Sequence, residues 1–224
     1  MSIIAAFVSG EGAVVASDGR MFTPAQLDGE KVIKPAEIER DDFDKTFNFN
    51  NSIIGAFCGL LSFSGLTTST HITEILSAIG EPTGTFESII PTLGDNFRKR
   101  LNSISPDEIL FNLRKVDILL VRRISKKAMG VVQMRFVPNN GEIRIDKNLS
   151  TIKNVKRYFL FGDDMAQNCA SKVFTNNKAK NQNINFLSML ITKAIQTGIS
   201  SAGKSPFNQK IASCGGTIFR KQII

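Results

Sequence analysis

A serine hydroxyl occupies the second position of this chain, and the apolar run Ile3-Ile4-Ala5-Ala6-Phe7-Val8 follows it without slack. Most domains leave their first few residues loose at the surface. Ser2 therefore marks either an N-terminus merely tucked into a sheet or one whose position is part of the chemistry. The other reactive side chains offer less. Cys58, Cys169 and Cys214 sit among apolar or small residues without metal-ligand spacing, and read as buried thiols in a reducing, cytoplasmic compartment. His71 is the one histidine, too few for a His-rich metal site; within TTSTHITEIL it reads as a packing or capping residue. No metal and no cofactor is expected.

Composition narrows the partners. With 224 residues and 42% hydrophobic content, the chain suffices for one domain with a real core. No apolar stretch approaches the roughly 20 residues of a membrane span. No basic segment precedes the opening apolar run, so neither a membrane partner nor a signal peptide is expected. The formal charge is +8, but Lys and Arg are scattered, with only short pairs such as Arg122-Arg123 and Lys126-Lys127. With one Tyr and no Trp there is little stacking surface. A solvated basic surface is the simpler reading, and no nucleic-acid partner is expected.

The elements that must hold Ser2 follow from hydrophobic periodicity. SIIAAFVSGEGAVVASD reads as two strands joined at Gly10-Glu11-Gly12, and KTFNFN with SIIGAFCG as a second hairpin turning at Asn50-Asn51. Between them, residues 23–44 are charged and proline-containing, a surface excursion. Ile72, Ile75, Leu76 and Ile79 share one helical face, stopped by Gly80 and Pro82. Ile89, Leu93, Phe97 and Leu101 share another, in a helix made imperfect by Pro91 and Gly94. Strands then follow in KVDILLVRRI, AMGVVQMRFVP, GEIRID and RYFLFG, with a turn at Asn139-Asn140-Gly141. Two helices over 164–175, capped by Asp163, and 184–199 lead to a last strand near IASCGGTIFRKQII. Several strands are continuously apolar, as in sheets covered on both faces. The fold class expected is α+β: two antiparallel sheets packed together, flanked by helix layers, in one domain over 1–224.

The opening SIIAAFVSGEGAVVASDGR, followed after the excursion by KTFNFNNSIIGAFCGLLSFSG, resembles the proteasome-type N-terminal nucleophile hydrolases: proteasome β-subunits, HslV and connectases. The likeness runs from Ser2 to about Phe219 and implies a four-layer αββα sandwich. In that family the mature chain begins with a nucleophilic Thr or Ser. Counting Ser2 as that residue, Asp18 falls at the family's acidic position, Arg20 at the basic one, and Lys45 at the start of the third strand. Gly59 takes the place of the oxyanion-hole glycine. FLFGDDMAQNCASKVF, with Gly162 and Asp163, resembles the turn that supports the site, and Met21 and Phe57 fall where the family lines its substrate pocket.

The chemistry these roles imply is acyl transfer. A serine hydroxyl needs a base, and an α-amino group with a pKa of about 7.7–8.0 supplies one in the same residue. A Lys45 ammonium would favour the neutral amine and stabilise the alkoxide, with Asp18 holding that lysine oriented. A Gly59 N–H would meet the developing oxyanion. Taken singly each residue is ordinary: Ser often follows an initiator Met, and Asp18-Gly19 is a common turn pair. Only the joint spacing points to a site. The sequence departs from the family in ISSAGKSPFNQKIAS, which lacks the Asp-x-x-Ser pattern, leaving Ser200, Ser201 or Ser205 as substitutes. Met1 must be removed to free the amine, and no long propeptide precedes Ser2.

Three functions are compatible with this reading. The first is a peptidase or amidohydrolase that uses Ser2 on peptide or protein substrates. The second is a connectase-like ligase that passes the same acyl-enzyme to an amine. The third is an inactive proteasome-like subunit acting through assembly, and the resemblance also implies a homo-oligomer or ring. Chain position puts substrate recognition in the 23–44 excursion.

Overall fold

The structure, a computed structural model, describes residues 2–23, 26–28, 31–80, 86–104, 115–139, 142–153, 155–176, 183–201 and 214–224. Among these residues the chain is a mixed α/β fold of fifteen strands and four helices. β1 (Ile3–Val8) and β2 (Ala13–Asp18) form the opening hairpin, closed where Ser9 N–H donates to the Gly12 carbonyl at 2.9 Å. β1 also pairs with β14 (Arg157–Gly162), and β2 with β15 (Ile218–Ile223), giving an antiparallel sheet in the order β14-β1-β2-β15.

A second antiparallel sheet joins β7 (Thr46–Phe49), β8 (Ile53–Cys58), β11 (Val116–Ser125), β12 (Ala128–Asn139) and β13 (Glu142–Ile152) in the order β13-β12-β11-β8-β7. Its first turn uses Asn50 and Asn51 at φ 48° and 55°, the left-handed conformation that asparagine tolerates in tight hairpins. Asn140 and Gly141 of the expected second turn lie outside the described residues, while the strands beside them pair Asn139 with Glu142.

Period-two alternation explains the continuously apolar strands. Along β1, Ile3, Ala5 and Phe7 join one buried cluster, and Ile4, Ala6 and Val8 another. The first cluster packs the four-stranded sheet on α3 (Asp164–Asn176) and α4 (Ile184–Ser201). The second lies between the two sheets, where Ile54, Ala56, Cys58, Leu119 and Val121 meet it. The opposite face of the five-stranded sheet, through Phe57, Ile118 and Leu120, packs on α1 (Thr68–Ile79) and α2 (Phe86–Asn102). Both faces of the interior strands β1 and β8 are covered, so every residue of each is buried.

Local signals set the helix ends. Thr67 caps α1 by accepting from the Thr70 N–H at 3.1 Å, and Asp163 caps α3 by accepting from Ala166 N–H at 2.9 Å. Pro91 lies inside α2, yet the helix continues through it because Ile89, Leu93, Phe97 and Leu101 all bury on one face. His71 packs: its ring stacks on Phe63 at 3.8 Å between centroids.

One sequence reading gains detail and one needs correction. The 23–44 surface excursion contains strands: β3 (Met21–Thr23) pairs with β6 (Glu37–Arg40), and β4 (Gln26–Asp28) with β5 (Lys31–Lys34), as an antiparallel ribbon. Exposed charges on β5 and β6 hide the alternation that would announce strands. Cys169 is half-buried, unlike Cys58 and Cys214.

The aromatic centre of the helix-side cluster carries a direct expectation. Phe97 is fully buried and tilted against Phe136 at 4.9 Å. Phe97→Ala should lower unfolding free energy by about 3–5 kcal/mol in urea titration, through lost burial and the cavity left behind.

Candidate active site

The site grows from the end of β2. Asp18 is fully buried, and its Oδ1 accepts from the Ile3 N–H at 2.9 Å and from Lys45 Nζ at 3.0 Å. Its Oδ2 accepts from the backbone N–H groups of Arg20 at 3.3 Å and Gly215 at 3.1 Å. A buried carboxylate is costly unless its lone pairs are met. Four donors meet this one.

Lys45 is equally buried, and its ammonium also donates to the Arg20 carbonyl at 2.7 Å. Its own carbonyl accepts from Phe57 N–H at 3.1 Å, which ties the lysine to β8. Ser2, 4% exposed, is held at both ends of the peptide group that joins it to Ile3. Its carbonyl accepts from Asp163 N–H at 2.9 Å, and the following N–H is the one bound by Asp18. Gly162 makes that approach feasible: at φ 113°, a Cβ there would lie 1.6 Å from the Ser2 carbonyl oxygen. Gly59, just beyond β8, has φ 102°, and a Cβ there would lie 1.9 Å from the Lys115 carbonyl. No L-residue with a side chain fits either position.

Ser2, Asp18, Lys45, Arg20 and Asp163 thus share one connected set of hydrogen bonds, with Gly162 packed against the Ser2 carbonyl. Arg20 enters through its backbone, while its guanidinium forms a two-point pair with Asp41 at 2.7 and 3.0 Å. That hydrogen-bonded pair raises the Arg20 pKa and lowers the Asp41 pKa. Met21 is half-buried at the root of the ribbon. Phe57 is fully buried in the helix-side cluster, its ring edge-on to Phe43 at 6.5 Å. Ser200 donates to Gln196 within α4, and Ser205 lies outside the described residues. Two surface cavities, of about 400 and 320 Å³, lie beside α2 and include none of these residues.

Gly215 and Asp41 escaped the sequence reading. Gly215 donates to Asp18, and Thr217 N–H donates to the Asp41 carbonyl at 2.7 Å. The Gly215-Gly216 pair ahead of the last strand was the available signal. Among the described residues no group of three or more His, Cys, Asp or Glu could hold a metal ion, and no helix is long and apolar enough to cross a membrane.

No protein-family model and no curated protein matches the chain. Solved structures do. Anbu, an ancestral beta-subunit, from Yersinia bercovieri matches with a TM-score of 0.56 at 13% identity, covering 98% of this chain and 81% of that one. Anbu from Hyphomicrobium sp. strain MC1 matches with a TM-score of 0.54 at 12% identity, covering 97% and 80%. The chain shares its fold with these Anbu structures. A Gly-1 mutant of the Hyphomicrobium protein gives a TM-score of 0.55 at 11% identity, covering 98% and 80%.

One neighbour of Gly59 yields a pH expectation. Burial, with Asp117 adding to it, pushes the Cys58 thiol from 9.0 up to about 12. An acid raised in the folded state contributes fully below its unfolded value, and that contribution is lost as pH climbs through the folded one. Between pH 9 and 12 the wild type should therefore lose stability relative to Cys58→Ala, by about 1.4 kcal/mol per pH unit. Urea midpoints across that range check it.

Proposed function

We propose that this chain is a single N-terminal-nucleophile domain, a four-layer αββα sandwich, and that it is a peptidase or amidohydrolase acting through Ser2 once Met1 is removed. The observation that carries the reading is the Asp18 carboxylate. It binds the Lys45 ammonium and the peptide N–H that follows Ser2 with the same oxygen. A fully buried lysine and a fully buried aspartate are not needed for stability, since apolar residues of similar volume serve cores as well or better. Their placement beside the first strand suits activation of a terminal nucleophile.

In the proposed reaction the neutral α-amine of Ser2 takes the Oγ proton as Oγ attacks the substrate's amide carbon. The Gly59 N–H receives the oxyanion, and the Lys45 charge lowers the energy of the developing negative centre. The intermediate collapses as the C–N bond breaks, and the ammonium returns its proton to the leaving amine. Water, activated by the same amine, then adds to the ester and releases the acid and Ser2. Peptides or proteins are the proposed substrates. Assembly into a homo-oligomer or ring, in the cytoplasm, belongs to the same proposal; the fold likeness to an ancestral beta-subunit supports it.

Intact mass before and after exposure to a peptidyl epoxyketone tests the chemistry. That reagent forms its ring adduct only where a hydroxyl and a free α-amine share one residue. The expected result is a protein lacking Met1 that gains one adduct, with none on Ser2→Ala. A protein lacking Met1 that gains no adduct contradicts the proposal.

A further inference from the structure

The last residue of β8 before Gly59 is Cys58, and its cross-strand neighbour on β11 is Asp117. On the next strand, β12, Asp117 faces Arg135. Asp117 is fully buried, whereas the Arg135 side chain is 41% exposed. The carboxylate accepts from Arg135 Nε at 2.6 Å and, more loosely, from Nη2 at 3.4 Å. Lys115 Nζ stands 3.8 Å away, and the Cys58 thiol donates to the same carboxylate at 3.8 Å. One buried group therefore binds both strand ends that flank Gly59.

Gly59 lies between those two strand ends. Its positive φ leaves it outside the β8 ladder, and its α-carbon lies against the Lys115 carbonyl. Lys115 and Cys58, the residues that fence it in, are the ones drawn to Asp117. Proton loss from Cys58 would set two negative charges face to face, but the thiol stays neutral at ordinary pH because its pKa is about 12. An apolar residue at 117 would fill the space, yet it would supply no directional bond to either strand end.

We propose that Asp117, anchored by Arg135, is a positioning residue that holds the Gly59 N–H in the orientation required of an oxyanion donor. The functional part of this inference rests on the acyl-transfer reading above. Its structural part does not, and the two are separable.

The test compares Asp117→Asn, Arg135→Ala and Arg135→Lys with the wild type, all lacking Met1. Arg135 is partly exposed, so its variants keep the experiment informative where Asp117→Asn fails to fold. The backbone NMR order parameter of Gly59 is measured beside kcat and KM on a cleaved peptide. In Asp117→Asn and Arg135→Ala, that order parameter should fall from the rigid range to about 0.6 or below, and kcat should fall by about tenfold or more, with KM changed by less than about twofold. Arg135→Lys should recover part of both. An unchanged order parameter at Gly59 in folded variants overturns the inference, as does an equal fall at every amide of the sheet, the mark of a merely stabilising pair. A loosened Gly59 in variants of a protein whose wild type cleaves nothing supports the positioning role and overturns the acyl-transfer reading alone.

Discussion

The Asp18 carboxylate is the constraint on which the rest depends. It lies at full burial with four donors around it, and those donors come from four separate parts of the chain: the first strand, the turn after β2, the residue before β7, and the segment before β15. Removing any one donor would leave a buried charge partly unmet, at a cost of several kcal/mol. The four segments are therefore fixed relative to one another, although they are far apart in sequence. Ser2 is fixed as a consequence, since the bond to the Ile3 N–H governs the peptide that follows it.

Two-sided burial makes such a site feasible. The four-stranded sheet has helices on one face and the five-stranded sheet on the other, so its strand ends meet in a dry setting where ionic hydrogen bonds are strong. The sheets supply rigidity, and the loops at their ends supply the donors. Gly162 and Gly59 mark where backbone must approach backbone more closely than a side chain allows. Each stands at the end of a strand, Gly162 on the edge strand β14 and Gly59 just past the interior strand β8, and each touches a residue the proposed chemistry needs held still: the Ser2 carbonyl in one case and the Lys115 end of β11 in the other.

Much of this was legible in the sequence. The order of hairpins, helix pair, strands, helix pair and final strand could be read because apolar periods are long and turns carry Gly, Asn or Pro. Asp18, Lys45 and Gly162 could be named from spacing within a resemblance, and the structure brings them together. Other features left no local trace. The ribbon over 21–40 has charges where a half-buried strand would alternate, so its strands did not show within what read as a surface excursion. Asp41 sits among Arg40, Asp42 and Asp44, and nothing local singles it out as the partner of Arg20. Asp117 acts through sheet register, which is a property of strand pairing rather than of neighbouring residues.

The most direct test of the central interaction is the rate of peptidyl epoxyketone capture by protein lacking Met1, compared between the wild type and Asp18→Asn. Asparagine keeps the shape and an acceptor for the Ile3 N–H but removes the charge opposite Lys45. If the carboxylate organises the nucleophile and the lysine together, capture should slow by about a hundredfold or more while circular dichroism stays that of the folded protein. Capture of folded Asp18→Asn at the wild-type rate would contradict it.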